Sequence, residues 1–261
     1  MSKSTEIRWR VGTVPYLVAR PLTFGLSEDP RIELIEAPPS DLSAMLHRGD
    51  LDLALASSVL ALDTPPLSMW MEGPVIASDG PIHSVLLFLA PGVEKPEAIR
   101  RWFADPFSRT GRRLTQWLMH HAWKNAEAEL LEVPQDMDAF EAAIELGVDA
   151  VQLIGDPALL AVPANPDWTI IDLGSAWKAT AKKPFVFAGW MMRDGFELGK
   201  LAEVLENAAE NGLGKRQEFA RESAAGDDVR QAFLTRYLCE DLRYRLSANE
   251  VRDCLAEFRV S

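Results

Sequence analysis

The chain of 261 residues is short of the residues that mark several large protein classes. Its two cysteines, Cys239 and Cys254, form no C-x-x-C pair, so neither a disulfide framework nor a thiolate zinc site can be assembled. Four histidines, His47, His83, His120 and His121, show no zinc-type spacing, and no resident metal is expected. Long hydrophobic runs are missing. The longest, Val85 to Ala90, is strand length and falls far short of the roughly 20 residues a helix needs to cross a bilayer. Met1 to Arg10 is polar and charged and lacks the apolar stretch of a secretory signal, which points to a cytoplasmic protein. Basic residues are in deficit, 27 Lys and Arg against 39 Asp and Glu, for a formal charge of −12. Neither nucleic acid nor an anionic membrane is expected as a partner, because phosphate contacts need clustered Lys and Arg. The P-loop, the dinucleotide glycine fingerprint, the G-x-S-x-G elbow and the HExxH motif are all absent.

What is present is an ordinary globular composition, 48% hydrophobic and 25% charged, in a chain long enough for one large domain or two lobes. Alternation predicts strands over Ile7–Val14 and Arg31–Ala37, and the short apolar run Leu51–Ala56 predicts a third. Between them, Pro21 suits a first helical turn, and Ser40-Asp41 and Gly49 would bracket a helix. Strand, helix, strand at this spacing implies a parallel sheet with crossover helices. A second such unit runs from Ile99 to about Leu173, and the apolar strand Phe185–Met192 is followed by a helical tail. The pattern fits an α/β, two-lobed binding-protein fold. Hinge-like strands near Ser84–Ala90 and Phe185–Met192 would join a discontinuous first lobe (1–88 plus 187–261) to a continuous second one (89–186).

Ligands of such sheets bind where strands turn into helices. Ser108-Arg109-Thr110-Gly111 offers hydroxyls, free N–H groups and a positive helix end for a carboxylate, although the same residues would also serve as a plain N-cap. Ser57-Ser58 offers the same geometry in the first lobe, with the same alternative. Two such turns facing each other would suit a dianion. Tyr16 and Arg20 lie in the first strand-to-helix loop and can reach a cleft. Gly155-Asp156 can position a ligand or cap the next helix. Asp79 can hold a turn or take part in chemistry, and His83 and Ser84, adjacent along a strand, would point to opposite faces and form no Ser–His pair. The tryptophans, without aromatic-ladder spacing, read as core.

These residues carry a resemblance. Val11-Gly12-Thr13-Val14-Pro15-Tyr16-Leu17 with Arg20-Pro21-Leu22, the segment Leu51 to Ser58, Ala77-Ser78-Asp79-Gly80-Pro81-Ile82-His83-Ser84-Val85, Ser108-Arg109-Thr110, Leu153-Ile154-Gly155-Asp156-Pro157 and Pro184-Phe185-Val186 follow in register. Together they resemble the chorismate dehydratases of menaquinone biosynthesis, from about residue 8 to about residue 195. The resemblance implies a periplasmic-binding-protein-like fold of type II with a cleft between the lobes. It implies chorismate as the substrate, loss of water to 3-[(1-carboxyvinyl)oxy]benzoate in the futalosine route, and no cofactor. Ser84 would bond the reacting substrate, while the Ser57-Ser58 and Ser108–Gly111 turns would hold its carboxylates. The chain departs from the family pattern at Val18, where an Asn is expected, and at Gly111, where relatives often carry a hydroxyl residue. The alternatives are the 1,4-dihydroxy-6-naphthoate synthase of the same pathway, and a non-catalytic cytosolic binder of a small carboxylate.

Overall fold

The computed structural model describes residues 8–63 and 67–259. Ile7, expected to open the first strand, and Val260-Ser261, at the end of the helical tail, lie outside the described residues. The first unit contains β1 (Trp9–Thr13), α1 (Arg20–Thr23), β2 (Ile32–Glu36), α2 (Pro39–Arg48), β3 (Leu53–Ser57), β4 (Ser68–Met69) and β5 (Val75–Ser78). β1 pairs in parallel with both β2 and β3, as crossover connections require. Gly12 allows this packing, because a Cβ there would sit 2.6 Å from Leu51 and 2.7 Å from Leu42. α2 begins at Pro39, with Ser40 and Asp41 inside its first turn rather than capping it, since Pro38 already holds the extended cap conformation. Gly49 ends it in the left-handed region at φ +80°.

The second unit contains β6 (Val85–Leu89), β7 (Arg101–Ala104), α3 (Arg109–His121), β8 (Glu129–Leu131), α4 (Ala139–Leu146), β9 (Ala150–Ile154), α5 (Gly155–Ala164), β10 (Thr169–Asp172) and α6 (Leu173–Ala181). The chain then returns through β11 (Phe185–Met192) to α7 (Lys200–Leu213), α8 (Arg216–Ala224), α9 (Asp228–Arg236), β12 (Leu242–Arg243) and α10 (Ala248–Arg259). The first sheet has the order β12-β5-β11-β3-β1-β2, with β4 also on β11, and the second has the order β10-β6-β9-β7-β8. Both are mixed. β11 runs antiparallel to β3 and β5, and β6 runs antiparallel to β9 and β10.

Sheet membership shows where the chain changes lobe. β5 belongs to the first sheet and all of β6 to the second, so the outward crossing falls at Asp79–Ser84 and not at 88/89. β6 is therefore no hinge strand. Its unbroken apolar run has another cause: Leu86 and Phe88 enter a smaller cluster on one face of the second sheet, while Val85, Leu87 and Leu89 join the main core on the other. The return strand β11 lies in the first sheet from Phe185 onward. The tail is not wholly helical, because β12 pairs with β5 and a π-turn, Tyr237–Asp241, interrupts it. The main core passes between the units through tilted and edge-on aromatic rings, with Trp117 4.5 Å from Trp177 and Trp177 4.8 Å from Phe185.

Candidate active site

The outward crossing ends in a tight turn. The Ser84 N–H donates to Ile82 O at 2.7 Å across His83, whose φ is +58°. That is a γ-turn of the rare, strained hand, which persists only when its surroundings over-determine it. They do so here. Asp172, the N-cap of α6, accepts from the backbone N–H groups of Ile82 at 3.0 Å, His83 at 2.7 Å and Ser175 at 2.8 Å. His83 Nε2 lies 2.9 Å from Asp241 in the π-turn, and the Ser84 carbonyl accepts from Gly155 N–H at 2.7 Å.

Ser84 is thus presented at the junction of the lobes, 3% exposed. Its Oγ accepts a hydrogen bond from the Tyr237 hydroxyl at 2.8 Å, while Ile82 O stands 3.4 Å away, near the limit of a useful bond. With its acceptor side engaged, the serine has its own O–H left to donate. Burial pushes the Tyr237 phenol far above its ordinary range, so it remains a protonated donor.

Ser84 lines an 80 Å³ cavity between the sheets. The first lobe contributes Tyr16, Val18, Ser57 and Phe187; the second contributes Ser108, Thr110 and Gly111 at the start of α3, and Gly155 at the start of α5. The rest of the lining is apolar, and among the described residues no Lys, Arg, His, Asp or Glu side chain belongs to it. Ligand pockets run to about 300 Å³ and more, so the space between the lobes is narrow here.

Specific bonds between the units hold it so. The Leu17 N–H donates to both carboxylate oxygens of Asp156 at 3.2 Å, and the Tyr16 ring lies against Gly155, where a Cβ would come within 3.0 Å. Arg109 donates to Ser43 at 2.7 Å and to Asp63 at 2.6 Å. Burial raises the Asp156 carboxyl above its usual range, and burial together with Asp105 and Asp156 pushes Tyr16 up to about 12. Outside this seam a 680 Å³ groove, sharing Ser108 with the cavity, is lined along α3 by Arg109, Arg112, Arg113 and His120.

Tyr16, Val18, Ser57, Ser84, Ser108, Thr110, Gly111 and Gly155 therefore meet around one cavity. Four other candidates do not. The Arg20 guanidinium turns to the C-terminal helices, 2.6 Å from Glu222 and stacked over Phe219. Ser58 gives its hydroxyl to Val186 O at 2.6 Å, tying β3 to β11. Arg109 and Asp156 fasten the lobes to each other rather than facing the cavity. A fifth, Asp79, also stays outside the cavity and pairs with Lys178. Ser84 and His83 do point apart, but because of the γ-turn and not strand alternation. Sequence reasoning missed Tyr237, which lies 153 positions from the serine it contacts and in no motif.

Two mixed sheets meeting at a crossover, with a narrow cavity between them, are the architecture of periplasmic-binding-protein-like folds. Solved structures agree. A Bordetella bronchiseptica protein superposes with a TM-score of 0.67 at 16% identity, covering 97% of this chain and 89% of its own. A Candida albicans protein described as having the generic periplasmic binding protein fold gives 0.64 at 12% identity, covering 97% and 89%. The alkanesulfonate-binding protein of Xanthomonas axonopodis gives 0.52 at 16%, covering 96% and 84%. The sequence model of the menaquinone biosynthesis family matches residues 9–259, and the chain belongs to that family. The chorismate dehydratase of Thermus thermophilus is 28% identical over 231 residues, covering 82% of this chain and 80% of that protein.

Proposed function

We propose that this protein is a cytoplasmic chorismate dehydratase, eliminating water to give 3-[(1-carboxyvinyl)oxy]benzoate on the futalosine route to menaquinone. The reading is carried by Ser84, a buried hydroxyl held on a strained turn at the lobe junction with its O–H free to donate. Family membership and the likeness to the Thermus chorismate dehydratase support chorismate as the substrate. Two thiols left free, Cys254 buried with its pKa pushed up to about 12, suit a reducing compartment.

The reaction breaks a ring C–H bond and the ring C–OH bond, and aromatisation drives it. The lining offers no side-chain base, and Tyr16 is held protonated, so the substrate's own enolpyruvyl carboxylate takes the ring proton. Ser84 donates a hydrogen bond to the departing hydroxyl and keeps its proton; the proton taken up by the enolpyruvyl carboxyl passes to that hydroxyl, so that water leaves and the carboxylate is restored. The hydroxyls of Ser57, Ser108 and Thr110, with the N–H groups opening α3, hold carboxylates without a formal cation. The groove on α3 sets Arg109, Arg112 and Arg113 against Asp63 and Asp105, a local basic excess beside the cavity on an otherwise acidic protein, which favours the approach of anions.

Purified protein supplied with chorismate alone should form the aromatic enolpyruvyl ether, followed by chromatography and ultraviolet absorbance. Ser84→Ala should lower kcat far more than it raises KM, and equal rates would remove the serine from the mechanism. Thermal stabilisation by chorismate without product would favour a non-catalytic binder. Formation of a dihydroxynaphthoate from its cyclic precursor would favour the sister enzyme.

A further inference from the structure

Gln152 on β9 is completely buried, 0% exposed, yet neither its Nε2 nor its Oε1 has a hydrogen-bond partner. Most buried side-chain amides are paired, and an unpaired one is retained at a cost to stability. The other unpartnered buried atoms among the described residues are three tryptophan N–H groups and the Thr13 hydroxyl, so Gln152 alone is unsatisfied at both ends. Its position gives the reason. Gln152 stands just behind the cavity lining, two residues before Ile154 on the same face of β9, and Ile154 and Gly111, which it lies against, both line the cavity. Its amide lies against the first turn of α3, where a Cβ on Gly111 would sit 2.7 Å from Nε2 and 2.5 Å from Ser108 Oγ. A side chain at 111 would press on the Ser108 hydroxyl and on this amide, so the glycine lets both sit against the helix start.

We infer that Gln152 is a ligand-binding residue, its Nε2–H donating to a carboxylate seated at the Ser108–Gly111 turn. A cavity lined by no cation needs such neutral donors. The inference rests on the proposed function for the identity of the carboxylate ligand, but not for the state of the amide itself.

The decisive signature is opposite movement of stability and binding. Gln152→Leu, with Gln152→Met as the closer shape match should Leu fold poorly, should raise the melting temperature of the ligand-free protein by about 2 °C or more. It should also weaken chorismate, read as KM and as the ligand-induced melting shift, by about tenfold or more, the loss of one bond to a charged group. A lower ligand-free melting temperature in both variants would mean that a buried water satisfies the amide structurally, and would overturn the inference. So would unchanged affinity. Isophthalate, a planar dicarboxylate that cannot react, is measured in parallel. If it binds and chorismate is neither bound nor turned over, the dehydratase reading fails, while Gln152 is judged on whether its substitution abolishes the isophthalate shift. If neither ligand shifts the wild-type protein, both proposals fall.

Discussion

The bond from Tyr237 to Ser84 gives the most direct test of how the site is arranged. Tyr237→Phe removes one oxygen and keeps the ring, which lies parallel to Phe233 at 6.3 Å and edge-on to His83 at 6.2 Å. A neutral buried hydrogen bond contributes about 0.5–1.5 kcal/mol net. At about 2–4 °C per kcal/mol for a chain near this size, the melting temperature should fall by about 1–6 °C. The kinetic effect has a different origin. Without the phenol the Ser84 hydroxyl can turn among its staggered positions, and only one in about three aims its proton into the cavity. Loss of the polarising donor weakens the remaining bond somewhat further. The expected result is a fall of about 3–10-fold in kcat with KM nearly unchanged. Measuring Tyr237→Phe, Ser84→Ala and the double variant closes a cycle, which should show coupling of about 0.5 kcal/mol or more. If Tyr237→Phe costs as much in the Ser84→Ala background as in wild type, the tyrosine does not act through the serine and the reasoning is refuted.

Other consequences follow from the seam between the lobes. Burial raises the folded-state pKa of Asp156, so its stabilising contribution is complete below the ordinary carboxylate range and is lost as pH rises through the raised value. Asp156→Asn keeps an acceptor for Leu17 without the charge, so it should melt above wild type at pH 7, with the gap closing in acid; a lower melting temperature at pH 7 counts against this sign. Arg109→Ala removes two ties between the units, yet the Asp63 pair is partly solvated, so stability should change by no more than about 1 kcal/mol while small-angle scattering shows a more open molecule. Gly155→Ala forces a side chain into φ +65° and against the Tyr16 ring, and should destabilise by about 1 kcal/mol or more in chemical denaturation.

Much of the framework was legible in local pattern. The alternating runs at β1 and β2, the apolar runs at β3 and β11, the Ser108 cap and the Gly49 stop need only neighbours within a turn or a strand, and one-dimensional signals record those directly. The segments around Tyr16, Ser57, Ser84, Ser108 and Gly155 were legible too, because strand ends in such sheets converge on one edge. Tertiary structure alone decided the rest. Whether β6 belongs to the first sheet or the second does not alter its apolar run, so the crossing point was invisible until the pairing with β9 was seen. Arg20 and Arg109 are long enough to reach several partners, and which carboxylate each meets depends on helices and turns remote in sequence. β12, two residues long, is too short for any period to register. The partner of Ser84 and the unpaired amide of Gln152 are facts about contacts across the fold, where composition and spacing carry no signal.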